Sequence, residues 1–244
     1  ASAVLWDIFT WYFGLPSSSS HALIGGLIGS AVIKAGWGSL IASGIVPIAV
    51  FIVLSPLVGL LIGGALGILI FTVFRKTGPQ KMENVFSRGQ MLSSALYSMG
   101  HGGNDAQKTI GVIALILLGN GMAAGELSFP FWSIGSCYAA MAAGTLFGGW
   151  RIVKTMGERL TKLRPVDGFC VETGAAITLF LTALLGIPVS TTQTITGSIV
   201  GIGLLRRISA VRWGVTGRVL LVWILTIPCV AVISALIYFV LVKI

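Results

Sequence analysis

Two stretches of this 244-residue sequence repeat one polar pattern at a spacing of 172 residues: Gly14-Leu15-Pro16-Ser17-Ser18-Ser19-Ser20-His21 and Gly186-Ile187-Pro188-Val189-Ser190-Thr191-Thr192-Gln193. The register continues downstream, with Gly25 and Gly29 falling on Gly197 and Gly201, and Pro56 on Pro228. Across residues 14–29, five of sixteen positions are identical and six are conservative exchanges, which apolar composition alone does not produce. A proline followed by hydroxyl residues starts a helix whose first N–H groups have no intrahelical partner and whose dipole is positive at that end. Hydroxyls and N–H groups gathered at such an end suit an anion. Two of them, Ser18, Ser19 and Ser20 with Ser190, Thr191 and Thr192, can surround a tetrahedral oxyanion from both sides. Helix capping or small-residue packing would account for one such run, but not for a duplication in register.

A second constellation, Gly102-Gly103-Asn104-Asp105-Ala106-Gln107-Lys108-Thr109, sits at the predicted mouth of an apolar span. An acid, two amides and a lysine are costly there unless they line an aqueous or ion-binding cavity. Asp105 offers a carboxylate, and Asn104 and Gln107 offer neutral oxygens, a set suited to a small cation; sodium at Asp105 and Asn104 is the expectation. A solvated helix start with Asp105 as dipole partner is the competing account. Glu172, inside the apolar segment Phe169 to Leu185, is a further candidate for a coupling cation or proton, or for an ion pair near the membrane edge. His21, Gln193, Lys108 and Thr109 are secondary site candidates. Lone histidines such as His21 and His101 are more often hydrogen-bonded packing residues.

The elements that must hold these groups are membrane helices. The chain is 55% hydrophobic and 9% charged, with a mean hydropathy of +0.97, which excludes an ordinary water-soluble globule. The predicted fold is an all-α, polytopic integral membrane bundle of two inverted repeats with broken helices or re-entrant helical hairpins. Residues 1–15 read as the tail of a helix, 17–33 as a short helix and 44–74 as a span. An amphipathic interfacial stretch follows near 82–99, then spans near 104–125 and 129–150 and a basic helical segment at 151–165. Residues 168–185 and 188–205 repeat the broken pair, and 219–242 form the last span. Three units result: 1–74 as the remainder of a first inverted repeat, 75–100 as a cytoplasmic basic connection with its interfacial helix, and 101–244 as the second inverted repeat.

The net charge of +9 reports orientation and not a nucleic-acid partner, because the cations sit in short connections between apolar segments. Thirteen of the sixteen Lys and Arg fall in three clusters, 75–88, 151–164 and 206–218, all expected on the cytoplasmic side. The connection 34–43 carries one cation while its partner 172 residues later is the third cluster, so equivalent loops are expected on opposite faces. Cys137, Cys170 and Cys229 lie in apolar segments without metal-ligand spacing and read as packing thiols. No signal peptide pattern is visible at the start.

Three motifs together resemble the inorganic phosphate transporter (PiT) family: His101-Gly-Gly-Asn-Asp-Ala-Gln-Lys-Thr-Ile-Gly111, Gly148-Gly-Trp-Arg-Ile-Val-Lys-Thr-Met156 and Pro188-Val-Ser-Thr-Thr192. The resemblance covers essentially the whole chain. It implies a secondary transporter that moves inorganic phosphate inward with sodium ions or protons, without a cofactor. It further implies a multi-pass protein of the bacterial inner membrane, often a homodimer in the lipid bilayer. Phosphate ligands would include Ser18, Ser19, Ser20, Ser190, Thr191 and Thr192, with Asn104 and Asp105 serving ion and substrate. The family carries an Asn-Asp motif in each repeat, and the counterpart of Asp105 falls before residue 1. Roughly seventy residues of the first repeat are therefore expected to be absent.

Sulfate stays open as a tetrahedral oxyanion, although phosphate can donate a hydrogen bond to Asp105 and sulfate cannot. A structural or assembly subunit without a substrate is a further alternative. An intramembrane hydrolase is disfavoured. Adjacent Ser20 and His21 seldom meet as nucleophile and base, Gln193 cannot act as base in the second copy, and an aspartyl enzyme would need Asp105 and Glu172 to share one site.

Overall fold

Glycine and proline punctuate the chain where the repeat requires it. The computed structural model describes residues 1–122 and 129–243, and among these it contains α-helices, short 3₁₀ and π turns and no strand. Helix α1 (Ser2–Tyr12) ends at a turn in which Gly14 takes φ +66°, a left-handed conformation that L side chains rarely adopt. Pro16 follows, Ser18 caps the next helix by accepting from the His21 N–H, and α2 (Ser19–Ala35) begins. The same sentence is written again at Gly186 (φ +65°), Pro188 and Ser190, which accepts from the Gln193 N–H ahead of α8 (Thr191–Arg206). The turn bonds correspond as well, Leu15 N–H to Thr10 and Ile187 N–H to Thr182, both at 2.9 Å.

Between these copies lie α3 (Ala42–Val73), α4 (Pro79–Gly119), α5 (Phe131–Gly148), α6 (Trp150–Lys154) with a π turn (Thr155–Leu160), and α7 (Pro165–Leu184); α9 (Trp213–Lys243) closes the chain. Ala42–Val73, Pro165–Leu184 and Trp213–Val242 are long and apolar enough to cross a bilayer. The outer surface is apolar, with Phe131, Phe147 and Leu184 more than four-fifths exposed, while Thr178, Ser190, Gln193, Thr194, Thr196 and Ser198 are buried. Large apolar groups face outward and hydroxyls inward, the arrangement lipid solvent favours.

Two elements differ from the sequence expectation. Residues 82–99 and the span from 104 are a single helix of 41 residues, α4, and no break sets off an interfacial piece. The glycines that suggested a helix start lie in mid-helix. Gly102 and Gly103 have open space around them, while Gly100 just ahead of them packs on Leu179 and Phe180 of α7. The span expected at 104–125 therefore runs to Gly119, and its residues 123–125 lie outside the described residues. The segment expected as a helix at 151–165 divides into α6, the π turn and an extended link, 161–164.

The repeat reappears in three dimensions as an exchange of partners. Helix α2 packs on α9, and α8 packs on α3. Gly25 and Gly29 lie against the backbone of Ile227 and Ala231; Gly197 and Gly201 lie against that of Pro56 and Leu60. Each contact in one copy has its counterpart in the other within one residue of the 172-residue offset. Hydroxyls seal both seams, Ser234 donating to the Gly26 carbonyl at 2.6 Å and Ser198 to that of Gly59 at 2.9 Å. Trp223 donates to the Pro16 carbonyl and pins the first turn onto α9. At the other end of α8, Arg206 pairs with the fully buried Asp167, which also caps α7 through the Arg164 N–H.

Two outcomes follow from this packing. A Cβ at Gly197 would meet the backbone of Pro56, which cannot rotate aside, so the overpacking cost of about 1–3 kcal/mol exceeds the gain of roughly 1 kcal/mol in helix propensity. Gly197→Ala is expected to lower the melting temperature, whereas Gly217→Ala, with open space around it, is not. Inverted copies would put the equivalent exposed turns Trp37–Ser39 and Ile208–Ala210 on opposite faces. Single cysteines at Gly38 and Ser209 in a cysteine-free background should then react with an impermeant maleimide from opposite sides of intact cells. Equal labelling from one side overturns the inverted arrangement.

Candidate functional site

The site is assembled where α4 passes between the starts of α2 and α8. Asp105 and Lys108 lie one turn apart on α4, and the Lys108 ammonium donates to Asp105 Oδ1 at 3.3 Å. It also donates to Ser20 Oγ at 2.6 Å and to the Val189 carbonyl at 3.2 Å. One side chain thus touches the serine run of the first copy and the loop of the second. Thr191, the first residue of α8, donates its hydroxyl to Asp105 Oδ2 at 3.1 Å, and His101 Nδ1 lies 3.2 Å from the same oxygen. Tyr97 stacks on the His101 ring at 5.8 Å between centroids. The Asp105 and Lys108 side chains remain 16% and 27% exposed, so the cluster is only partly buried.

The predicted residues divide by what they touch. Ser20, Thr191, Asp105 and Lys108 are brought together. Ser18 and Ser190 are buried and spend their oxygens on capping, which positions the runs. Ser19 is exposed, and Thr192 lends its carbonyl to the Thr196 hydroxyl at 2.6 Å. Asn104 donates to the Gly100 carbonyl of its own helix, and Gln107 and Thr109 lie on the exposed side of α4. Asp105 is in mid-helix, so its partners are side chains and not a helix N-terminus.

Glu172 belongs to a separate cluster. It accepts from Ser93 at 2.6 Å and from Gln90 at 3.3 Å, both on α4. His21 and Gln193, equivalent in the two copies, are buried immediately behind the two serine and threonine runs. His21 Nδ1 and both Gln193 side-chain atoms lack a hydrogen-bond partner there, a costly condition for buried polar groups.

Four participants are absent from the sequence reading. Asp7 of α1 lies beside Ser17 and within electrostatic reach of Asp105, and the hydroxyls of Thr10 and Ser17 are 2.7 Å apart. Asp7 carries the signal that identified Glu172, an acid in an apolar segment. Gln90, Ser93 and Tyr97 carry a different one: with His101, Asp105 and Lys108 they recur every three or four residues, one face of a helix.

Fold and site together define a helical membrane protein with a polar site built by two repeated helix starts. The model of the phosphate transporter family matches residues 1–82 and 74–234, and the chain belongs to that family. It is 52% identical over 237 residues to a Rhizobium meliloti (strain 1021) protein named "Probable low-affinity inorganic phosphate transporter", covering 97% of this chain and 71% of that one. A Bacillus subtilis (strain 168) protein of the same name is 39% identical over 241 residues, covering 98% and 72%. A solved structure described as "The sodium-dependent phosphate transporter" superposes with a TM-score of 0.84 at 25% identity, covering all of this chain and 78% of that one. The protein is a phosphate transporter of the PiT family, and its relatives are named as transporters and not as enzymes.

Thr191→Val keeps the shape of the side chain and removes the donor to Asp105. Leaving that carboxylate oxygen short of a partner is expected to weaken phosphate binding by about 1–3 kcal/mol, measured by calorimetry on the purified chain. Unchanged binding would reduce this hydroxyl to a packing role.

Proposed function

We propose that the protein imports inorganic phosphate across the bacterial cell membrane by symport with sodium ions or protons, as a multi-pass transporter of two inverted repeats. The observation that carries this reading is the meeting of two helix starts, through Ser20 and Thr191, on the Asp105–Lys108 pair of a third helix. Two N-terminal dipoles and an ammonium supply positive potential, and hydroxyls supply orientable hydrogen bonds. Asp105 is the single carboxylate directly bonded within this set, and it favours phosphate over sulfate by accepting a hydrogen bond from a protonated phosphate oxygen.

In this reading Ser18, Ser19, Ser20, Ser190, Thr191 and Thr192 frame phosphate. Asn104, Asp105, Gln107 and Glu172 serve the coupling ion, with sodium at Asp105 and Asn104 as one choice. The sodium-dependent similar structure supports sodium; the ionisable groups His101 and Asp105 on α4, with Glu172 of α7 bonded to the same helix through Gln90 and Ser93, support protons equally well. Residues 1–74 and 101–244 form the two repeats about the 75–100 connection, and pairing into a homodimer fits the apolar outer surface.

Asp105→Asn keeps size and hydrogen bonding and removes the charge that would attract a cation or accept a proton. Phosphate accumulation by proteoliposomes under imposed sodium or proton gradients should fall at least about tenfold, with insertion and melting close to the parent. Accumulation at the parental level would move coupling away from Asp105 to Glu172 and the α4–α7 seam.

A further inference from the structure

We propose that Lys108 is a tethered cation: its ammonium occupies the three-oxygen cradle of Asp105, Ser20 and Val189 that a sodium ion would otherwise fill. This rests on the phosphate-transport reading and selects between its coupling ions at this position.

A lysine ammonium has three N–H donors and no acceptor. Those donors meet three oxygens of three kinds: a carboxylate at 3.3 Å, a hydroxyl at 2.6 Å and a backbone carbonyl at 3.2 Å. A carboxylate, a hydroxyl and a carbonyl are also what a hard cation asks of a protein. The three oxygens come from α4, from the start of α2 and from the loop before α8, so they are gathered by tertiary structure and not by one local turn. Ammonium and metal cation compete for one place, and the ammonium is covalently held there.

The consequence is electrostatic. Sodium would bring positive charge to the phosphate site only when bound, and would link phosphate affinity to the sodium concentration. A fixed ammonium brings that charge permanently, and its bonds to both copies keep the two helix starts together. Asp105 neutralises part of it, which leaves the two helix dipoles facing the entering anion. Phosphate binding by this chain is therefore independent of sodium at the Asp105 cradle, and Lys108 is the residue that makes it so.

The test uses the purified protein, with radiolabelled phosphate binding and thermal melting measured in sodium chloride and in choline chloride. The parent is expected to bind phosphate equally in both salts and to melt equally in both without phosphate. Lys108→Ala opens the cradle: its phosphate affinity should fall about tenfold or more in choline and recover in sodium, and sodium alone should raise its melting temperature. Lys108→Met fills the space without charge and should bind weakly in both salts.

The inference is overturned if the parent responds to sodium, if Lys108→Ala binds in choline as the parent does, or if sodium neither restores nor stabilises that variant. Should Lys108→Ala fail to fold, the parent's indifference to sodium and the weak binding of Lys108→Met decide the matter. A well-folded parent that binds no phosphate in either salt refutes the transport reading itself. The sodium-induced melting shift of Lys108→Ala, read without phosphate, judges the cradle separately.

Discussion

Two helices of this protein begin in its interior, and the rest of the site is arranged around that constraint. A helix start leaves N–H groups without intrahelical partners, and no bilayer lipid can satisfy them. Ser18 and Ser190 relieve one N–H each by capping, and the left-handed glycines at 14 and 186 turn the chain sharply enough to bring the caps into place. The remaining donors and the aligned dipoles of α2 and α8 form a region of positive potential where the two starts meet. Asp105, Lys108, Ser20 and Thr191 are bonded to one another there.

Helices that start inside must be held from the side. At 17 and 16 residues, α2 and α8 rise about 25 Å, less than the hydrocarbon thickness, so span length does not anchor them. Backbone contact does. Glycines on α2 meet α9 and glycines on α8 meet α3, and close approach replaces a hydrophobic effect that is weak between helices in lipid. Because each short helix leans on the long helix of the other copy, neither half completes the site alone. The same exchange explains why the repeated glycines stay in register well beyond the serine runs: they are the seam.

This logic decided what could be read from the sequence. The turn-and-cap motif was legible because backbone geometry restricts the residue types at Gly14, Pro16 and Ser18, and restricts them identically at Gly186, Pro188 and Ser190. The four short or broken segments were placed for the same reason. The length of α4 was not legible, since Gly102 and Gly103 ahead of a polar run read as a helix start, whereas they lie inside one continuous helix. Lys108 could be named as a neighbour of the site from its position beside Asp105. Its bonds to Ser20 and Val189 cross 88 and 81 residues of sequence, which no local pattern encodes.

The continuity of α4 changes the meaning of its polar residues. Split into an interfacial helix and a span, Gln90 and Ser93 would be ordinary polar groups at a membrane surface. On one helix they join Tyr97, His101, Asp105 and Lys108 in a stripe that rises about 27 Å from residue 90 to residue 108. One end of the stripe holds Glu172 through Gln90 and Ser93, and the other holds both serine and threonine runs through Asp105 and Lys108. Leu92, Leu96 and Met99 form its exposed opposite side. A polar face of that length is tolerated in a bilayer only where protein or water covers it, and α7, α8 and α2 supply the cover. The Glu172 cluster and the Asp105–Lys108 cluster are thus distinct but share α4, so a change in the tilt of α4 would alter its bonds to Glu172 of α7 and to the starts of α2 and α8 together.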